Sequence, residues 1–177
     1  MARRTIDGLM RAGITHVVGI PDNTSGALFD AVLRHPMIRL ITVTREGEAF
    51  AVAAGLWLGG ASPLVVIQNT GLLEAGDGIR GTAQRMGAPI PFVVTGRGYA
   101  KMLAAGIARD DPRTRELLTR PDVDSTALLT EPTLDAWGIP FRRCDAEDDP
   151  VLAMEELIRS ARDARLPSAL VLTRGLD

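Results

Sequence analysis

Six short apolar runs rich in β-branched residues, most of them separated by helix-length segments, constrain this fold more than any other feature. The runs cover residues 16–20, 38–43, 63–68, 90–95, 139–144 and 168–173. Short apolar runs bounded by turn residues are typical of buried strands. Strands that alternate with helices indicate a parallel sheet covered on both faces. The sequence therefore predicts a doubly wound α/β fold with a mainly parallel six-stranded sheet and helices on both faces.

Five helices are predicted between and before these runs, over residues 2–12, 26–34, 46–59, 78–86 and 150–164. The second follows Pro21 to Ser25, a string of residues that favour turns and helix N-termini. In the last, Leu152, Leu157, Ile158 and Ala161 are placed on one face and charged residues opposite.

The chain has 177 residues, 46% of them hydrophobic, which suits one compact domain over residues 1–177. Residues 96–131 interrupt the alternation and are too many for an ordinary loop. We expect this segment to be an insert or a lid.

Composition excludes several classes of partner. A formal net charge of −2 with dispersed arginines gives no basis for binding nucleic acid or an anionic membrane. The sequence shows neither an apolar run of about 18 residues nor a secretory signal pattern, so we predict a cytoplasmic protein. The single cysteine, Cys144, predicts a buried and inert thiol in a reducing compartment.

Glu46 is the first candidate for chemistry. It lies where the run 38–43 gives way to an apolar helix, which places a carboxylate at the carboxyl edge of the sheet. Open α/β folds bind ligands at that edge, and the helix dipole there favours an ionised carboxylate. The alternative is ordinary capping, because acidic residues are common in first helical turns.

Polar residues follow two other strands at the same edge. Asp22 and Asn23 come after the first strand, where they could equally begin a turn and cap a helix. Gln68 and Asn69 end the third strand, and two amide side chains there favour ligand contact. The four residues are therefore candidate binding residues alongside Glu46.

Several familiar motifs are absent. No glycine fingerprint for a dinucleotide is present, which argues against a nucleotide-binding Rossmann protein. There is also no nucleophile elbow and no histidine-rich metal constellation. The tripeptide Gly76-Asp77-Gly78 suggests a phosphate or metal loop, but it follows no strand directly and lacks the remainder of such a motif. We predict no metal ligands in this chain.

Four motifs together carry a resemblance to a known family. They are Gly-Ile-Pro-Asp at 19–22, Arg-Glu-Gly-Glu-Ala at 45–49 with Gly55 following, Gln-Asn-Thr-Gly-Leu at 68–72, and Leu-Asp-Ala-Trp-Gly-Ile-Pro-Phe at 134–141. This combination resembles the pyrimidine-binding domain of thiamine-diphosphate-dependent decarboxylases. Its nearest branch is the sulfopyruvate and phosphonopyruvate decarboxylases, one of which has a separate α subunit of about this size.

The resemblance implies a role for each candidate. The family glutamate that matches Glu46 hydrogen-bonds a ring nitrogen of the cofactor's aminopyrimidine and stabilises the imino tautomer, which deprotonates the thiazolium carbon. The cofactor then attacks a 2-oxo acid and carbon dioxide leaves. Gln68 and Asn69 are implied to contact the cofactor, and Asp22 and Asn23 to contact the substrate.

The resemblance also implies a partner. Family members hold the diphosphate and Mg²⁺ through a second domain with Gly-Asp-Gly and a later Asn motif. In this chain Gly76-Asp77-Gly78 lies inside the pyrimidine-type domain, and no such Asn motif follows it. We therefore expect a hetero-oligomer with a β subunit that carries this domain. The implied substrate is a small 2-oxo acid with a sulfonate or phosphonate head, for which Arg97, Arg109 and Arg113 are candidate contacts unless solvated.

Two alternatives stay open. The chain could serve a decarboxylase or lyase for another 2-oxo acid in a specialised biosynthetic pathway. It could also be a non-catalytic or regulatory α/β subunit that keeps the fold, although such a subunit would be expected to lose the carboxylate of Glu46.

Overall fold

The structure, a computed structural model, describes residues 2–174 and contains one six-stranded sheet in which every strand pair is parallel. The strands are β1 (His16–Gly19), β2 (Arg39–Thr42), β3 (Pro63–Gln68), β4 (Pro91–Thr95), β5 (Phe141–Cys144) and β6 (Ser168–Leu172). Their order across the sheet is β2-β1-β3-β4-β6-β5. The predicted single domain also included Met1 and residues 175–177, which lie outside the described residues.

Eight α-helices and one π-helical segment connect the strands in the described part of the chain. The α-helices are α1 (Ala2–Arg11), α2 (Gly26–Leu33), α3 (Glu46–Leu58), α4 (Asn69–Glu74), α5 (Tyr99–Ala104), α6 (Arg115–Leu118), α7 (Ser125–Ala136) and α8 (Pro150–Ala164). The π-helical segment is Gly78–Gln84.

Two apolar layers enclose the sheet. Buried side chains of α1, α2 and α8 cover one face, and those of α3, α4, α5, α7 and the π-helical segment cover the other. Every residue of β4 is buried, as a strand covered on both faces requires. Phe50 of α3 packs edge to face on Phe92 of β4, with ring centroids 5.1 Å apart. The predicted doubly wound α/β fold is confirmed.

The sequence predicted the strands better than the helices. Each of the six apolar runs contains a strand with bounds that differ by at most two residues. The predicted helix over 78–86 forms a π-helical segment, and α4 was not predicted. Residues 96–131 contain α5, α6 and the first half of α7. Their action as a lid remains a prediction.

Two expectations from composition can be compared with the fold. Cys144 is buried and unpaired, and burial raises the pKa of its thiol. Within residues 2–174, no helix combines the length and the apolar character needed to cross a membrane.

The strand order determines where a site can form. From β1 the chain continues to β2 on one side, and β3 lies on the other side of β1. Open α/β sheets bind ligands in the crevice outside the carboxyl ends of the strands at such a reversal. Asp22, Glu46 and Gln68 all lie at or after those ends.

Candidate active site

Glu46 is the first residue of α3, and its carboxylate is partly exposed. Within residues 2–174 it has no hydrogen-bond or ion-pair partner. The neighbouring acid Glu48 is engaged instead, because its Oε2 accepts hydrogen bonds from the Thr44 N–H at 3.0 Å and the Thr44 hydroxyl at 3.1 Å. These bonds lower the pKa of Glu48. The N-terminus of α3 therefore leaves the Glu46 carboxylate available to a ligand.

The backbone of α4 packs directly against Glu46. A Cβ atom placed on Gly71 would lie 2.2 Å from Cγ of Glu46 and 2.4 Å from its Oε1. Real Cβ atoms do not approach other atoms so closely, so a larger residue at position 71 would displace the Glu46 side chain. The glycine of the Gln-Asn-Thr-Gly motif thus makes room for the carboxylate.

Glu74, also on α4, binds the residues on either side of Glu46. Its Oε2 accepts a hydrogen bond from the Gly47 N–H at 2.7 Å, and its Oε1 accepts two from the Arg45 guanidinium at 3.0 and 2.6 Å. The Gly47 bond outweighs burial and, with Arg45, lowers the pKa of Glu74. Sequence reasoning missed Glu74. Its spacing of three residues from Gly71 was a usable signal only if α4 had been recognised as a helix.

Asp22 is held in a dense set of hydrogen bonds. Its Oδ1 accepts bonds from the backbone N–H groups and the hydroxyls of Thr24 and Ser25, at 2.6 to 3.0 Å. Its Oδ2 accepts a bond from the hydroxyl of Thr95, at the end of β4, at 2.9 Å. Burial acts to raise the pKa of Asp22, but the bonds from Thr24, Thr95 and Ser25 outweigh it and lower this pKa. Asp22 is therefore ionised near neutral pH and links the ends of β1 and β4.

The two amides after β3 differ in their surroundings. Asn69 is fully buried, and its side chain bonds both backbone groups of Arg97, donating to the carbonyl at 2.9 Å and accepting from the N–H at 3.3 Å. Gln68 is partly exposed, and its Oε1 accepts a bond from the Thr70 hydroxyl at 2.8 Å. Its amide nitrogen donates to no protein group within residues 2–174 and is available to a ligand. Asn23 is exposed beside Asp22.

The three arginines considered for an anionic head group do not converge. Arg97 lies just after β4 and pairs with Asp124 at 3.5 Å. Arg109 and Arg113 line a separate cavity of about 210 Å³ between α5 and α7. There Arg109 pairs with the buried Glu131 at 2.6 Å, whereas Arg113 donates to the carbonyls of Leu128 and Arg109.

One candidate for a metal site among the described residues is the Gly76-Asp77-Gly78 tripeptide. No group of three His, Cys, Asp or Glu side chains within residues 2–174 is arranged to hold a metal ion. A Cβ on Gly78 would lie 2.5 Å from the Gly47 carbonyl oxygen, so this glycine permits close packing against α3. Gly81 likewise permits the close approach of the Asp77 carboxylate. The Gly76-Asp77-Gly78 tripeptide is thus engaged in internal packing.

Comparison with known families matches residues 1–112 to the model of the thiamine pyrophosphate enzyme, N-terminal TPP binding domain. This range contains Asp22, Glu46, Gln68 and Asn69. Thiamine pyrophosphate is the same compound as thiamine diphosphate.

Two curated relatives are similar over substantial parts of the chain. A phosphonopyruvate decarboxylase of Streptomyces viridochromogenes is 38% identical over 148 residues, which are 80% of this chain and 35% of the relative. The sulfopyruvate decarboxylase subunit alpha of Methanothermobacter thermautotrophicus is 32% identical over 91 residues, 51% of this chain and 55% of that subunit. The chain thus spans about a third of the first relative and about half of the second.

Solved structures show the same fold. A thiamine diphosphate-dependent 4-hydroxybenzoylformate decarboxylase of Rhodococcus jostii RHA1 superposes with a TM-score of 0.63 at 15% identity, over 97% of this chain and 29% of that one. A benzoylformate decarboxylase of Polynucleobacter necessarius gives a TM-score of 0.59 at 20% identity, with the same two coverages. At these identities the likeness concerns the fold alone.

Proposed function

This chain belongs to the thiamine pyrophosphate enzyme family through its N-terminal TPP-binding domain, and on that premise we propose that it is the pyrimidine-binding α subunit of a two-subunit decarboxylase. The observation that carries the proposal is the carboxylate of Glu46, which has no partner within residues 2–174 and lies at the carboxyl edge of the sheet. A group that neither caps its helix nor forms an ion pair is free to bind a ligand.

The residues fit one end of the cofactor. Glu46 would hydrogen-bond a ring nitrogen of the aminopyrimidine, and the close approach of Gly71 would fix the direction of its carboxylate. Gln68 has an amide nitrogen available to the same ligand, whereas Asn69 would act through the Arg97 backbone that it holds. When bound, thiamine diphosphate supplies the electron sink that allows carbon dioxide to leave a 2-oxo acid.

The substrate in this proposal is a small 2-oxo acid with a phosphonate or sulfonate head. The identities of 38% and 32% to a phosphonopyruvate decarboxylase and to a sulfopyruvate decarboxylase subunit support this class. Asp22 and Asn23 would contact the substrate at the end of β1. Because Asp22 has a lowered pKa, it would act at neutral pH as an acceptor of hydrogen bonds.

A partner β subunit would hold the diphosphate and Mg²⁺. The described residues offer no metal cluster, and one relative is itself a subunit alpha. The outer face of α3 would be accessible to such a partner, since Ala51, Gly55 and Leu58 are exposed there.

The test requires a candidate β chain that carries Gly-Asp-Gly and the later Asn motif. The two chains would be mixed with thiamine diphosphate and Mg²⁺, and carbon dioxide release would be followed from phosphonopyruvate, sulfopyruvate and pyruvate. We expect release from one of the first two. Release from none of the three, with the partner bound, would contradict the proposal and favour the regulatory alternative.

A further inference from the structure

Helix α4 presents Gly71 and Glu74 to the N-terminus of α3. Residues three apart lie on the same face of a helix, so one face of α4 contacts Glu46 and both of its sequence neighbours. We infer that Glu74 is a positioning residue that sets the orientation of the Glu46 carboxylate. The inference rests on the proposed function of Glu46.

Glu74 bonds both neighbours of Glu46, the backbone of Gly47 on one side and the side chain of Arg45 on the other. The first N–H groups of a helix have no intrahelical partner, and Glu74 Oε2 satisfies the one of Gly47 at 2.7 Å. Glu74 Oε1 holds the side chain of Arg45, the residue before Glu46, through two hydrogen bonds. Residue 46 is therefore anchored from residues 45 and 47 by a single carboxylate.

One glycine shapes this arrangement. A Cβ on Gly71 would collide with the Glu46 side chain, whereas a Cβ on Gly47 would make only ordinary van der Waals contact with Glu74 Oε2, at 3.4 Å. Glu74 thus restrains the backbone of Glu46, while the α4 backbone at Gly71 restrains its side chain. Pre-organised groups of this kind matter in catalysis because a displacement of about 1 Å can cost about 100-fold in rate.

If Glu74 served only to stabilise the fold, its removal would have little effect on catalysis. Arg45 and Glu74 form a largely surface ion pair, and such pairs contribute little to stability. The chain offers a matched control on the opposite face of the sheet. Oε1 of Glu155 accepts two hydrogen bonds from Arg11, as Oε1 of Glu74 does from Arg45, and Glu155 is similarly exposed.

The first experiment uses the chain without cofactor or partner. Amide hydrogen exchange at Gly47 would be compared in the wild type, Glu74→Ala, Glu74→Gln and Glu155→Ala. We expect at least tenfold faster exchange in Glu74→Ala, partial protection in Glu74→Gln, and no change in Glu155→Ala. Glu74→Gln keeps an oxygen acceptor for the Gly47 N–H, so it serves as the conservative rescue. Unchanged exchange in Glu74→Ala overturns the inference.

The second experiment uses the assembled enzyme with its partner, thiamine diphosphate and Mg²⁺. We expect kcat to fall about 10- to 100-fold in Glu74→Ala with KM for the 2-oxo acid within twofold, and to recover partly in Glu74→Gln. Glu155→Ala should stay within twofold of the wild type. A kcat near wild type in Glu74→Ala, or an equal loss in Glu155→Ala, overturns the inference. An inactive wild-type assembly would instead contradict the proposed function, while the exchange experiment would still test the anchor.

Discussion

The backbone of Gly71 lies against the side chain of Glu46 so closely that a Cβ on residue 71 would be 2.4 Å from the carboxyl carbon and from Oε1. The two residues come from motifs 25 positions apart, one at the start of α3 and the other within α4. Their contact joins the two motifs into a single site. A larger residue at position 71 should therefore affect function more than stability, because the flexible Glu46 side chain can move away.

Gly71→Ala tests whether residue 71 affects function more than stability. We expect the methyl group to displace the Glu46 carboxylate and to lower turnover of the assembled enzyme about 10- to 100-fold. Stability should be unchanged or raised by up to about 1 kcal/mol, since alanine favours a helix more than glycine does. Turnover and thermal unfolding would be measured on the same preparation. Gly26→Ala is the control, because a Cβ there meets nothing within 4 Å, and full turnover in Gly71→Ala would contradict the assignment.

Asp22→Asn tests the link between β1 and β4. The asparagine keeps one neutral acceptor oxygen, which cannot serve both Thr24 and Ser25 on one side and Thr95 on the other, so we expect a loss of roughly 1–2 kcal/mol in the free energy of unfolding at pH 7, after allowance for its partial exposure. Denaturant unfolding would measure this loss. Asp30→Asn, which removes an exposed carboxylate of α2, should change stability by less than about 0.5 kcal/mol.

The effect of Asp22→Asn on stability should depend on pH. The pKa of Asp22 is lowered by folding, so its contribution to stability is present above its ordinary value of 3.8 and is lost as pH falls through the lower folded-state value. The stability difference between wild type and Asp22→Asn should therefore be constant from pH 7 to about pH 5 and shrink below pH 3.8. A difference that stayed constant down to pH 2 would show that the hydrogen bonds do not depend on the charge.

The sequence predicts those elements that are stabilised by residues close together along the chain, and it misses those that depend on distant contacts. Runs such as Val-Val-Ile in β3 and Phe-Val-Val-Thr in β4 specify buried strands by themselves. Helix α4 has only six residues and begins Asn-Thr-Gly, which is typical of a turn. It is stabilised by its packing on α3 and α7, and that packing cannot be read from the segment alone.

The candidate site shows the same distinction. The position of Glu46 at a helix start followed from the strand before it and the apolar spacing after it. The partner of Glu74 is an N–H group 27 residues away, and the partner of Asn69 is the backbone of Arg97, 28 residues away. Neither pairing can be predicted from the local sequence. Contact of Asn69 with the cofactor stays a prediction, because a buried amide that bonds a distant loop and one that bonds a ligand have the same local pattern.

Glu131→Gln tests the charged cluster between α5 and α7. Glu131 is buried and pairs with Arg109 at 2.6 Å and Arg143 at 3.4 Å. Its Oε2 faces Arg109 as an ion pair and accepts no hydrogen bond within residues 2–174. We expect a loss of about 1–3 kcal/mol in the free energy of unfolding, because two guanidinium groups lose their shared carboxylate. Glu116→Gln, at an exposed site, should cost less than about 0.5 kcal/mol in the same urea titration.

Turnover of Glu46→Gln in the assembled enzyme tests the central claim most directly. The substitution keeps the size of the side chain and removes only an acid–base group that has no partner within residues 2–174, so stability should match the wild type. We expect the rate of carbon dioxide release to fall about 10²- to 10⁴-fold at saturating thiamine diphosphate. A variant that folds, binds the partner and retains most of the wild-type rate would contradict the account.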